Sequence, residues 1–438
     1  MSERTRQIGI ISQQYPPDKS GHASRIQNMA TNLDSRGWDV EVVAPPPCFP
    51  HGSFDRDWYR SKEIRQQDVT VRRLWAWQPT EPNPGIVSRL AYYVTFALHA
   101  FLWLLITRRR YDVVMTTTPP ISTGLAGFVT VLTNSLWVVD VRDLWIDASV
   151  SLGFIPEDGI IEHGSRYFQR QVLHTSDAIA VTTETLGDHL CEQYGAALSE
   201  KLLLVPNGVD MDRFASTKSG DSVVDSDDPA IVYVGNIGHA QALDECIRAM
   251  GRLDNDAELY LIGSGDAVPH LREVVTEAGV EDAVEFTGPI PHEAVPAALD
   301  DAAIGIAPLL DDSELDYAMP TKVYEYMGAG LPVVTTGQGE LERFIEQSGG
   351  GIHTTPDPGG IATAFDSLLA SEAKRRERGQ SGQDYVSPTY DRSHIAVRFD
   401  DQIRQLMDGT STAPAGESNR TNIALDHGTT TDAGPRNE

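Results

Sequence analysis

Lys322 and Glu325 stand three residues apart in the segment Pro320–Val334, PTKVYEYMGAGLPVV. Helical spacing puts both on one face. Pro320 suits a helix start, where its missing N–H leaves nothing unsatisfied. Gly328 and Gly330 then end the helix before a buried strand that begins at Leu331. A lysine in a first turn adds a full charge to the partial positive charge of the helix N-terminus, which makes a seat for a diphosphate. A carboxylate one turn later is placed to accept hydrogen bonds from a ribose. The alternative left open is a surface ion pair, which would contribute little.

These side chains need elements to hold them. Short Val- and Ile-rich runs alternate with helical patterns along most of the chain. Strands are expected at Ile8–Ser12, Val40–Ala44, Val69–Leu74, Val113–Thr117, Leu136–Val141, Ala178–Thr182 and Leu202–Val205. After the polar stretch Ser216–Pro229 they resume at Ile231–Gly235, Glu258–Ile262, Ala283–Thr287, Ala303–Ala307, Pro332–Thr335 and Gly351–His353. Continuous apolar strands separated by helices indicate parallel sheets covered on both faces. Two such sets make two doubly wound α/β domains, and a chain of 438 residues is longer than one core normally supports.

Acidic residues outnumber basic ones by 63 to 35, a net charge of −28. Such a chain repels nucleic acid, so none is expected as a partner. With 40% hydrophobic residues it is nonetheless a folding sequence. Acid spread over a folded surface fits a salt-loaded halophilic cytoplasm, where charge keeps proteins soluble. Cys48, Cys191 and Cys246 match no metal spacing, and no apolar leader precedes the first strand. Both observations fit a reducing cytoplasm.

One element departs from the pattern. Ile86–Ile106 is apolar and aromatic almost all round and is followed by Arg108, Arg109 and Arg110. Its length would reach across a bilayer, yet Arg89 and His99 within it, and the strand just after it, argue against a span. Two readings stay open: a helix buried over the N-terminal sheet, or one partly immersed at a membrane interface with cations near headgroups.

Open parallel sheets bind ligands at the carboxyl ends of their strands. The first such loop, Ser12–Arg25, ends in Ser20-Gly21 and offers His22 and Arg25 as polar contacts. Val138–Asp147 (VVDVRDLWID) carries Asp143 and Trp145; Asp140, Arg142 and Asp143 could instead form a structural ion pair. In the second half, Val232–Asp244 (VYVGNIGHAQALD) has Asn236 and Gly238 in a Gly-rich loop that allows close backbone approach to a ligand. Gly263-x-Gly265 lacks a third glycine and is weak as a dinucleotide fingerprint.

The segments Pro320–Val334 and Leu202–Phe214 (LLLVPNGVDMDRF) resemble the signatures of retaining nucleotide-sugar glycosyltransferases of family four, the group 1 transferases with the GT-B fold. The closest likeness is to members of polysaccharide and lipid-linked glycan assembly. The resemblance implies two Rossmann-like domains facing across a cleft. An acceptor-binding domain is expected at 1–214, a linker at 215–229, and a nucleotide-sugar-binding domain at 230–390. A helix at 391–407 would cross back to the first domain, and 408–438 would be a disordered tail. Residue by residue, Lys322 would contact the donor diphosphate and Glu325 the ribose. Gly21, Asn236, Gly238, Gly263 and Gly265 would line the donor. Asp143 would lie by the reacting sugar, with His22, Arg25 and Trp145 on the acceptor side.

One departure stands out: the family's sugar-handling glutamate, eight positions before Glu325, is Tyr317 here. The expected activity is sugar transfer with retention of configuration to a polyprenyl-phosphate-linked or other glycan acceptor, with the 86–110 region possible as a membrane contact and no metal or other cofactor. A soluble transferase with a small acceptor, a nucleotide-sugar 2-epimerase and a non-catalytic nucleotide-sugar-binding subunit are the alternatives.

Overall fold

The computed structural model describes residues 5–58, 61–66, 69–107, 111–151, 153–215, 222–311 and 315–409. Arg108–Arg110, part of the linker (216–221) and the tail from 410 onward therefore lie outside the described residues.

The first half forms an eight-stranded sheet. Its strands are β1 (Gln7–Ile11), β2 (Asp39–Ala44), β3 (Ser61–Gln66), β4 (Val69–Leu74), β5 (Val113–Thr117), β6 (Leu136–Val141), β7 (Ala178–Val181) and β8 (Leu202–Leu204). They lie in the order β3-β4-β2-β1-β5-β6-β7-β8, all parallel except β3, which pairs antiparallel with β4 at the edge. The second half forms a six-stranded parallel sheet from β9 (Ala230–Asn236), β10 (Glu258–Ser264), β11 (Val284–Gly288), β12 (Ile304–Ala307), β13 (Val333–Thr335) and β14 (Gly351–His353). Its order is β11-β10-β9-β12-β13-β14. Two doubly wound parallel-sheet domains are thus present. The sequence reading missed only β3, whose run SKEIRQ is charged and largely exposed, as an edge strand tolerates.

Helix α1 (Gly21–Ser35) is capped by Ser20, whose Oγ accepts from the Ala23 N–H at 3.1 Å. It packs Ile26, Met29 and Leu33 into the core shared with Ile8 and Ile10 of β1. The helix Arg392–Met407 lies against α1 and adds Ile395, Phe399 and Ile403 to that same core. The chain therefore returns to its first domain after completing the second. The two crossings meet: the Val209 N–H donates to the Tyr390 carbonyl at 2.9 Å, and the Arg392 N–H to the Val209 carbonyl at 2.8 Å. Gly208 precedes this contact with φ +62°, and a Cβ there would stand 2.5 Å from the Tyr390 oxygen, so the turn needs glycine.

Helix α2 (Ile86–Thr107) is neither buried all round nor free. Tyr92, Phe96, Ala100 and Leu104 sit in a core with Ile11 and Val114, while its opposite face is exposed. The helix therefore covers the N-terminal sheet with one face only.

Candidate active site

The helix Thr321–Gly328 follows Pro320, and Val323, Tyr326 and Met327 bury its inner face. This anchoring turns Lys322 toward the carboxyl end of β9. There its ammonium donates to the Tyr233 hydroxyl at 2.7 Å and lies 3.8 Å from that ring's centroid. Gly235 lies beneath it, and its φ of +141° rather than crowding calls for glycine, since a Cβ there would make only ordinary contact with Lys322 Cε at 3.5 Å. Burial pulls the Lys322 pKa down to about 7, opposed by the nearby Glu325 carboxylate. Among the described residues no carboxylate is ion-paired with it. Glu325 itself points elsewhere: its Oε1 lies 3.6 Å from Arg213 Nη1, just past the interdomain turn.

Asn236 is exposed at the end of β9, and its carbonyl accepts from the Tyr233 hydroxyl at 2.5 Å. Gly238 follows; its N–H donates to Gln241 Oε1 at 2.9 Å. Lys322, Asn236 and Gly238 thus gather at one strand end. Gly263 and Gly265 do not line this mouth in the expected way. A Cβ on Gly263 would lie 1.9 Å from the Gly235 oxygen, and one on Gly265 2.0 Å from the Ile237 oxygen. Their glycines are required by the backbone of the β9 loop pressing on that of β10, a packing reason that stands whatever ligand they face.

Across the cleft, His22 is buried and fully engaged. Its Nδ1 accepts from Arg142 Nη2 at 2.6 Å, while Nε2 lies 3.0 Å from Ser12 Oγ and 3.1 Å from Thr117 Oγ1. An acceptor Nδ1 puts the ring proton on Nε2. Burial first, then Arg142 and Arg25, hold the His22 pKa well below the usual range, so the ring is neutral. Arg25, expected on the acceptor side, is buried and held by protein partners. Its guanidinium pairs with Asp140 at 3.0 Å and donates to the carbonyls of Val205 (2.7 Å) and Pro206 (2.6 Å). It is a buried tie between sheet and interdomain turn, because an isolated buried cation needs that many partners. Gly21 opens α1 with open space beyond it.

Asp143 sits at the end of β6, beside Arg142. Burial raises its pKa, opposed by Arg142 and by the Trp145 N–H, and its Oδ1 is buried without a hydrogen-bond partner. Trp145 is half-buried and starts the next short helix. The two domains touch here. Tyr317 packs among Leu144 and Leu186 of the first domain, and its hydroxyl accepts from the Leu144 N–H at 3.2 Å. Its neighbour Asp316 binds His189 Nε2 at 2.7 Å. Sequence reasoning missed Tyr233, Arg213 and the docking of Tyr317. None belongs to a motif, and each is recruited by the fold.

Two family matches cover most of this architecture. Residues 20–208 match the family described as "Glycosyl transferase 4-like domain", and residues 228–371 match "Glycosyl transferases group 1". WcaI of Escherichia coli K12, a glycosyl transferase named for colanic acid biosynthesis, is 23% identical over 408 residues, covering 89% of this chain and 98% of that protein. A sucrose-phosphate synthase from Thermosynechococcus elongatus superposes with a TM-score of 0.73 at 19% identity, covering 92% of this chain and all of that one (100%). HepE from Anabaena, solved with UDP, gives 0.64 at 13% identity, covering 91% and 100%. With two parallel-sheet domains facing across a cleft and both halves matched in order, the chain belongs to the group 1 glycosyl transferases of GT-B fold.

Proposed function

We propose that the chain moves a hexose from a nucleotide-sugar donor, with retention of configuration and without a metal, onto a polyprenyl-phosphate-linked glycan at the cytoplasmic membrane face. The observation that carries this reading is Lys322: a half-buried cation at a strand end, bonded to a neutral hydroxyl rather than to a carboxylate. A cation so placed gains most when an anion arrives. In the step proposed, the bond from the anomeric carbon to the diphosphate breaks. The acceptor oxygen bonds that carbon on the same face, and its proton passes to a phosphate oxygen of the departing diphosphate. No side-chain nucleophile is required. Lys322 and its helix N-terminus stabilise the charge that develops on the leaving group. Glu325 would hold the ribose, Asn236 and Gly238 the donor, and Asp143 a hydroxyl of the reacting sugar, with His22 and Trp145 on the acceptor side.

Likeness to WcaI favours a surface-glycan precursor as acceptor, and the exposed face of α2 favours a lipid-borne one. The test is incubation with UDP- and GDP-hexoses and a polyprenyl-diphosphate-linked saccharide in high salt. The product's anomeric configuration is then read by NMR. Transfer with retention supports the reading; inversion, donor isomerisation without acceptor, or no turnover of any donor would sink it.

A further inference from the structure

On α2, Val87, Leu90, Val94, Leu98, Leu102 and Ile106 recur every three or four residues, so they share one face, and they are 45–77% exposed. Beside them stands a tryptophan cluster that no motif anticipated. Trp58, 66% exposed, stacks on Trp75 at 6.4 Å between centroids and meets Trp77 edge-on at 6.5 Å. The Arg56 guanidinium lies 4.3 Å from the Trp77 ring centroid. Two hydrogen bonds lash this segment along α2: the Trp77 N–H donates to Thr95 Oγ1 and His99 Nδ1 to the Trp75 carbonyl, both at 2.9 Å. Because β4 runs parallel to β2, the Trp75–Gln78 segment emerges at the carboxyl end of the sheet, on the cleft side.

We infer that the Trp58–Trp77 cluster and the outer face of α2 form one bilayer-docking surface, with the indoles at headgroup level and the aliphatic strip among the acyl chains. Indoles favour that level because one edge is apolar and the other donates a hydrogen bond. Charge favours the same occupant. Arg56 lies over the Trp77 ring, exposed Arg89 stands in the first turn of α2, and in sequence Arg108, Arg109 and Arg110 follow the helix directly, whereas Arg72 and Arg73 are spent on Glu41, Glu63 and backbone carbonyls. Guanidinium groups flanking an apolar strip match phosphate headgroups. A saccharide platform would account for the indoles but would leave the aliphatic strip in water. The surface deepens the lipid-borne acceptor reading and rests on it for its purpose.

The experiment uses the full chain with sucrose-loaded vesicles of equimolar phosphatidylglycerol and phosphatidylcholine. It follows sedimentation and the quenching of indole emission by brominated lipid. Wild type should sediment and be quenched. Trp58→Ala/Trp77→Ala and Leu98→Ser/Leu102→Ser should each weaken vesicle binding by at least about tenfold. Their melting temperatures should stay at the wild-type value, since the replaced groups are exposed. Failure of wild type to bind vesicles, or wild-type binding by both variants, overturns the inference. So does an emission shift with soluble dextran fragments in place of lipid, which would make the cluster a saccharide platform. Lys322→Ala, assayed in parallel, should bind vesicles normally, so a wrong transferase reading and a wrong docking surface give different results.

Discussion

The two walls of the cleft are built on opposite plans. On the first domain's side most polar groups, Asp143 Oδ1 apart, are spent on one another: Arg25 on Asp140 and two carbonyls, Arg142 on His22, and His22 also on Ser12 and Thr117. On the second domain's side Lys322 has only a tyrosine hydroxyl, and Asn236 is exposed. A wall whose charges are already neutralised can shape and orient but has little left for an incoming anion. A wall with an unneutralised cation at a helix start is unstable alone and is completed by one. On the proposed function, the donor's charge would fall to the second domain and the first would contribute shape.

The sharpest way to break this contrast is at Arg25. Arg25→Ala leaves buried Asp140 only the longer contact with Arg142, 3.9 Å away, and frees the carbonyls of Val205 and Pro206, so the fold should lose about 3–5 kcal/mol. Thermal denaturation should show a large fall. A melting temperature near wild type would mean that the first wall is not interlocked.

At Lys322 the opposite pattern is expected. Lys322→Ala should lower turnover about a hundredfold, because a contact to a developing anion is lost, while the melting temperature holds or rises. Wild-type turnover would remove Lys322 from the mechanism.

Glu325→Ala is expected to be milder, weakening nucleotide binding by roughly tenfold through one lost charged hydrogen bond. Calorimetry decides it. Unchanged affinity would leave Glu325 as a partner of Arg213 only.

The smallest effect is a proton. Lys322 has a folded pKa of about 7, below the ordinary lysine value. Between those two values the unfolded chain holds a proton that the folded one lacks, so stability should rise with pH across that window. A bound diphosphate reverses the depression. At pH 8 nucleotide binding should then take up about one proton, seen as a dependence of binding heat on buffer ionisation enthalpy and lost in Lys322→Ala.

Much of this was legible in the sequence, for a physical reason. Buried parallel strands must be continuously apolar, so thirteen of them stood out, while β3, solvated on an edge, did not. The lysine helix was legible because proline, lysine and glycine each mark a backbone position. What escaped was long-range pairing. Nothing near Arg25 in sequence announces Asp140, 115 positions away, or the carbonyls beyond it. The packing reason for Gly263 and Gly265 also escaped, because tolerance of a close backbone reads the same whether the visitor is a diphosphate or a neighbouring strand. The Trp58–Trp77 cluster was invisible because its members come from separate segments around an edge hairpin.

The backbone clasp at Val209 has a mechanical meaning. Both connections between the domains run side by side there, joined at residues 209, 390 and 392. A two-stranded ribbon flexes readily out of its own plane and resists shear within it. Opening and closing of the cleft then reduces to rotation about a single axis set by that ribbon. Any relative motion of the two walls would then carry Lys322 along an arc about that axis.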